Sequence, residues 1–125
     1  MTSYLPSNAP RLSVEARTLA SPTSGAVVVS LAGEVDRVSG PEVQRVIEDA
    51  LERHRPQRIC LDMQQVTFLD SSGIRTLLIC RRHALRRRCK LEISRAHDNV
   101  RQVLSITALL KVFHLEDGST QQSYR

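Results

Sequence analysis

The sequence predicts one α/β domain: a mixed, mostly parallel sheet with an antiparallel N-terminal edge strand and packed helices. Three observations carry this. Short β-branched and aliphatic runs alternate along 125 residues with segments whose apolar positions recur every three to four residues. Two strand-like runs open the pattern with only a turn between them. No internal repeat or long linker interrupts the alternation that follows. Strands separated by helices pair in parallel through crossovers. A chain of this length suits a single domain whose core needs no disulfides.

The elements follow in order. Residues 1–10 contain two Pro, two Ser and an Asn, which predicts a loose leader. "RLSVEARTLA" (11–20) alternates, with Leu12, Val14 and Ala16 on one side, as an edge strand does. "SPTSG" is a turn. "AVVVSLAG" (26–33) is apolar and β-branched nearly throughout, the mark of a central strand. A loop, "EVDRVSG", leads to Pro41, which suits a first helical position with Ser39 or Gly40 near the cap. Val43, Val46, Ile47, Ala50 and Leu51 then form one helix face, and Pro56 stops the helix.

"RICLDM" (58–63) predicts a second core strand and "QQVTFLD" a loop. A helix from about Ser71 to Arg87 is expected to bury Ile74, Leu77, Leu78 and Leu85. "CKLEIS" (89–94) predicts a third core strand. Asp98 then caps a helix with Val100, Val103 and Leu104 on one face. "LKVFHL" (110–115) predicts a last short strand, and 117–125 a polar tail.

Composition narrows the functions. Two Phe, two Tyr and no Trp leave few rings for stacking bases, so nucleic acid is not an expected partner. Cys60, Cys80 and Cys89 lie in apolar settings without metal-ligand spacing, as reduced structural thiols do. His54, His83, His97 and His114 are scattered, so neither a metal nor another cofactor is expected. No apolar run reaches the roughly 18 residues of a membrane span, and the N-terminus lacks a signal-peptide pattern, which predicts a cytoplasmic protein. The net charge of +5 concentrates in "RRHALRRRCK" (81–90), which holds five Arg, one Lys and no acid. Arg86, Arg87 and Arg88 complement a helix C-terminus there; the sharper alternative is a patch for an acidic partner or nucleic acid.

Asp70-Ser71-Ser72-Gly73 stands where a strand hands over to a helix, a place where sites form in such folds. Capping alone explains one acidic or hydroxyl residue but not a carboxylate followed by two serines. An enzyme would need Ser71 activated, yet there is no Gly-x-Ser-x-Gly elbow, no recognisable histidine base and no Gly-rich phosphate loop with Lys. A third reading is a modification switch. A phosphate of about −1.5 to −2 charge is well placed at a helix N-terminus, and it obstructs a docked partner without unfolding the domain.

"LAGEVDRVSGPEV" (31–43) followed by "ICLDMQQVTFLDSSGIRTLL" (59–78) resembles the STAS domain of bacterial anti-sigma factor antagonists. "VRQVLSITALLKVFHL" (100–115) is similar to that family's later helix and last strand, and the likeness covers about residues 11–116. The resemblance implies a non-enzymatic partner switch. The unphosphorylated domain binds an anti-sigma factor that is a serine kinase, phosphorylation releases it, and a serine phosphatase resets it. By motif the phospho-acceptor is Ser71. Asp36, Ser39, Asp70, Ser72 and Arg75 are the implied partner-binding set, with Ser72 bonding to backbone within the turn. Two departures from the family pattern stand out: Arg75, where a small residue is common, and Ala108, where glycine is frequent. The tail after Glu116 is also short and polar where many members carry a C-terminal helix. The alternative is a scaffold or sensory module of the same fold that works without phosphorylation.

Overall fold

The computed structural model describes residues 14–21 and 24–115. The expected leader (1–10), the tail (117–125) and the strand residues before Val14 lie outside the described residues. Among the described residues four strands form one sheet in the order β1–β2–β3–β4: β1 Val14–Ala20, β2 Ala26–Val35, β3 Arg58–Leu69 and β4 Lys90–Ala96. Three helices among the described residues accompany them: α1 Gly40–His54, α2 Ser71–Arg86 and α3 Asp98–Ile106. β1 pairs antiparallel with β2, and both other pairings are parallel, as expected.

Register explains the core. Val27, Ile59 and Leu91 are paired across three strands, and so are Val29, Leu61 and Ile93. All six are buried, and they project to one face because side chains alternate along a strand. On the other face Val28, Ser30, Cys60, Asp62 and Glu92 are only half-buried. α1 buries the stripe expected of it, Val43, Val46, Ile47, Ala50 and Leu51.

α1 and α2 lie side by side. Their close approach depends on Gly40: a Cβ there would stand 2.6 Å from Thr76 Oγ1. Lower down, His83 Nδ1 meets Glu48 Oε2 across the helix pair. Cys80 and Cys89 are buried free thiols, and burial pushes them up to about 12 and about 11 from 9.0. Cys60 is half-buried rather than enclosed.

Four expectations need correction. "QQVTFLD" continues β3 to Leu69 instead of looping. Two register shifts against β2 make this possible: Ser30 and Ala32 face Asp62 and Gln65, and Gly33 and Glu34 face Val66 and Phe68. Each inserts one extra residue on β3, a bulge that breaks the two-residue alternation. α2 does not bury Leu78 and Leu85; its buried face is Gly73, Thr76, Leu77, Cys80 and Ala84. Small residues on that face let the helix sit close, and the bulkier leucines turn outward. His97, not Asp98, caps α3, its ring nitrogen accepting from Asn99 N at 3.1 Å. Residues 110–114 form turns, not a strand. Leu115 N donates to Leu110 O at 2.9 Å, so the segment's own carbonyls take its donors. Among the described residues one backbone bond, Ile93 N to Phe113 O at 2.9 Å, ties it to β4.

Candidate functional site

The site grows out of the end of the β2–β3 pair. Val35 and Leu69 are the last paired residues of these parallel strands, so Asp36 and Asp70 leave the sheet side by side. In open α/β sheets this carboxyl end is where ligands and partners are met.

Asp70 is half-buried and extended (φ −109°, ψ −172°), the geometry of a helix N-cap. Its Oδ1 accepts from Gly73 N at 2.8 Å, and its carbonyl accepts from Ile74 N at 2.9 Å. Gly73 is required by packing. A Cβ there would lie 2.2 Å from Val35 O and 2.7 Å from Leu69 Cδ1. The first turn of α2 therefore rests directly on the end of β2.

With Asp70 serving as the cap, the two hydroxyls are released from that duty. Ser71 is exposed on the first turn, and Ser72 is half-buried. Neither hydroxyl makes a hydrogen bond among the described residues, so the backbone bond expected of Ser72 does not form. Arg75 is exposed one turn below Ser71.

The neighbouring loop is held by its own side chains. Asp36 Oδ1 accepts from Val38 N and Ser39 N, each at 3.0 Å. Ser39 Oγ donates to Glu34 O at 2.8 Å and accepts from Asp36 N at 3.0 Å. Ser39 is 0% exposed, which corrects its expected place on a docking surface. Its hydroxyl closes the loop from inside and so sets where Asp36 and Val38 stand.

Two apolar residues that sequence reasoning missed flank the serine end. Val38 is 54% exposed at the tip of the Asp36 loop, and Phe68 is 46% exposed beside Glu34. Phe68 was hidden from pattern analysis because the bulge at the end of β3 turns it outward between buried Val66 and Leu69. The stretch 81–90 begins about 15 Å along α2 from Ser71 and runs past the helix's C-terminal end. There Arg87 caps the helix, and its Nη2 lies 4.0 Å from Glu52 Oε1. Among the described residues no group of His, Cys, Asp and Glu could hold a metal ion, and no helix is long and apolar enough to cross a membrane.

The fold agrees with comparison to known proteins. The family model described as the STAS domain matches residues 18–121, and the chain belongs to that family. An anti-sigma F factor antagonist of Paenibacillus polymyxa is 24% identical over 94 residues, covering 75% of this chain and 80% of that protein. Among solved structures, an anti-sigma factor antagonist from Mycobacterium paratuberculosis superposes with a TM-score of 0.70 at 24% identity, covering 86% of this chain and 88% of that one. The anti-sigma factor antagonist SpoIIAA in its unphosphorylated form gives 0.63 at 22% identity, covering 76% of this chain and 82% of its own. The phosphorylated form of SpoIIAA, described as a Bacillus cell fate determinant, gives 0.57 at 21%, covering 76% and 85%.

Proposed function

We propose that this protein is a cytoplasmic, non-enzymatic anti-sigma factor antagonist switched by phosphorylation of Ser71. Unmodified, it binds an anti-sigma factor that is a serine kinase and so frees a sigma factor for transcription. Phosphorylation of Ser71 ends the complex, and a serine phosphatase restores it. One observation carries the reading: Ser71 is exposed on the first turn of α2 while Asp70 already caps the helix. The hydroxyl is thus accessible to a kinase and dispensable to the fold. Relatives described as anti-sigma factor antagonists, one of them solved in both phosphorylated and unphosphorylated forms, support the same role.

In this reading Asp36, Asp70, Ser72 and Arg75 face the partner, with Val38 and Phe68 as apolar contacts at the rim. Ser39 acts through the loop it holds. Added charge at Ser71 sits comfortably at the helix N-terminus, so the fold survives. At a docked interface the same charge is desolvated and clashes, which lowers affinity.

The test is incubation with ATP and candidate kinases, followed by mass mapping. Phosphate should appear on Ser71 and be lost in Ser71→Ala, which still binds the kinase, while Ser71→Asp binds poorly. Phosphate on another residue only, or on none, would favour the scaffold module instead. Ser71→Asp binding as tightly as unmodified protein would remove the switch.

A further inference from the structure

α2 carries more exposed surface than the phosphorylation switch uses. Ser71, Arg75, Leu78, Arg82 and Leu85 are all exposed, with Leu78 at 38% and Leu85 at 47%. Their spacing is four, three, four, three. At 3.6 residues per turn these five positions fall within about 40° of one line along the helix. The line runs about 21 Å and lies on the side opposite the buried face of Gly73, Thr76, Leu77, Cys80 and Ala84. Alternating steps of three and four are the seam spacing of paired helices. Ser71, Leu78 and Leu85 occupy one position of the repeat and Arg75 and Arg82 the other. Among the described residues neither Arg75 nor Arg82 has a carboxylate partner.

We infer that this ridge is a docking seam for an amphipathic, acidic helix of the anti-sigma partner. That helix places aliphatic side chains against Leu78 and Leu85 and carboxylates against Arg75 and Arg82. The inference rests on the proposed function, since Ser71 begins the seam and the ridge continues from the switch. Charge selects the occupant. A second copy of this chain would bring four arginines to one seam with no carboxylate between them. A nucleic-acid backbone would match the arginines and leave both leucines against phosphate.

The seam also gives Arg75 a role that the family resemblance leaves open. In the unmodified protein its guanidinium meets a carboxylate of the partner. A phosphate on Ser71, one turn away on the same face, draws Arg75 to itself and repels that carboxylate. Modification at one end of the ridge thereby weakens contacts further along it.

Two measurements test this. The first titrates the kinase that phosphorylates Ser71 against wild type, Leu78→Ala/Leu85→Ala and Arg75→Glu/Arg82→Glu, with circular dichroism confirming each fold. Both doubles should lose about tenfold or more in affinity, because truncating apolar anchors and reversing paired charges act on the contact itself. Kinase binding that depends on Ser71 but is unchanged in both doubles overturns the seam and leaves the switch standing. The second measurement needs no native partner. A labelled helical 21-residue peptide with Leu and Glu at the two seam positions is followed by fluorescence anisotropy. It should bind wild type and not Arg75→Glu/Arg82→Glu, and a Lys-for-Glu peptide should show the reverse preference. Equal binding of both peptides, or none to wild type, overturns the seam whatever becomes of the switch.

Discussion

Replacing Gly73 by alanine isolates the contact that positions the serine turn. On local grounds alone the change should stabilise, because alanine is favoured over glycine within a helix by about 1 kcal/mol. The packing predicts the opposite. The new methyl would stand 2.2 Å from Val35 O, 2.9 Å from Val35 C and 2.7 Å from Leu69 Cδ1, where ordinary contact begins near 3.4 Å. Two of those atoms are backbone, so no rotamer change relieves them, and α2 must lift by about 1 Å. Overpacking of this kind costs about 1–3 kcal/mol, occasionally more. The upper end applies here, and subtracting the helical gain leaves a net loss of about 2 kcal/mol. With a urea m-value of about 2 kcal/mol/M, the midpoint should fall by about 1 M. Unfolding followed by circular dichroism reads this directly. A midpoint equal to or above wild type would show that α2 does not seat on the end of β2, and the geometry assigned to Ser71 would go with it.

Ala108 holds φ +61°, the left-handed region that glycine occupies without cost, so Ala108→Gly should raise stability by about 1 kcal/mol in the same urea experiment. Asp70→Ala removes the cap on Gly73 N and should cost about 1 kcal/mol, with the first turn of α2 exchanging its amide hydrogens faster. The buried thiols predict an alkaline limit. Folding raises Cys80 to about 12 and Cys89 to about 11, so both favour the folded state fully below about 9 and lose that contribution as pH climbs through 11 and 12. Iodoacetamide at pH 8 should therefore label half-buried Cys60 first and reach Cys80 only on unfolding, as peptide mapping will show.

The sequence made the architecture legible where one periodicity ruled a whole segment. β2 and α1 are such cases: a β-branched run and a stripe from Val43 to Leu51 each have a single solution. It failed where packing decided between alternatives. Leu78 and Leu85 looked like core, because apolar residues at helical spacing usually are. The helix buries Thr76, Cys80 and Ala84 instead, since small side chains bring it close to its neighbours. Phe68 and the end of β3 were obscured by bulges, which shift register by one residue and leave no mark in composition. The segment 110–114 reads as a strand in sequence, because its aliphatic residues fit either form, but it folds as turns. At the candidate site, the placing of Asp70 and Ser71 at the mouth of α2 was legible from residue type and order. That Ser39 is buried and Ser72 makes no backbone bond depended on how two loops meet, which spacing along one chain does not encode.

The most direct test compares unmodified protein with protein phosphorylated stoichiometrically at Ser71, in calorimetric titrations against the kinase that modifies it. Phosphorylation should lower affinity about a hundredfold or more, as happens when a charge is left desolvated and unpaired at an interface. The circular dichroism spectrum and unfolding midpoint should be unchanged. Equal affinity for the two forms, or a phosphorylated form that has lost its fold, would contradict the switch.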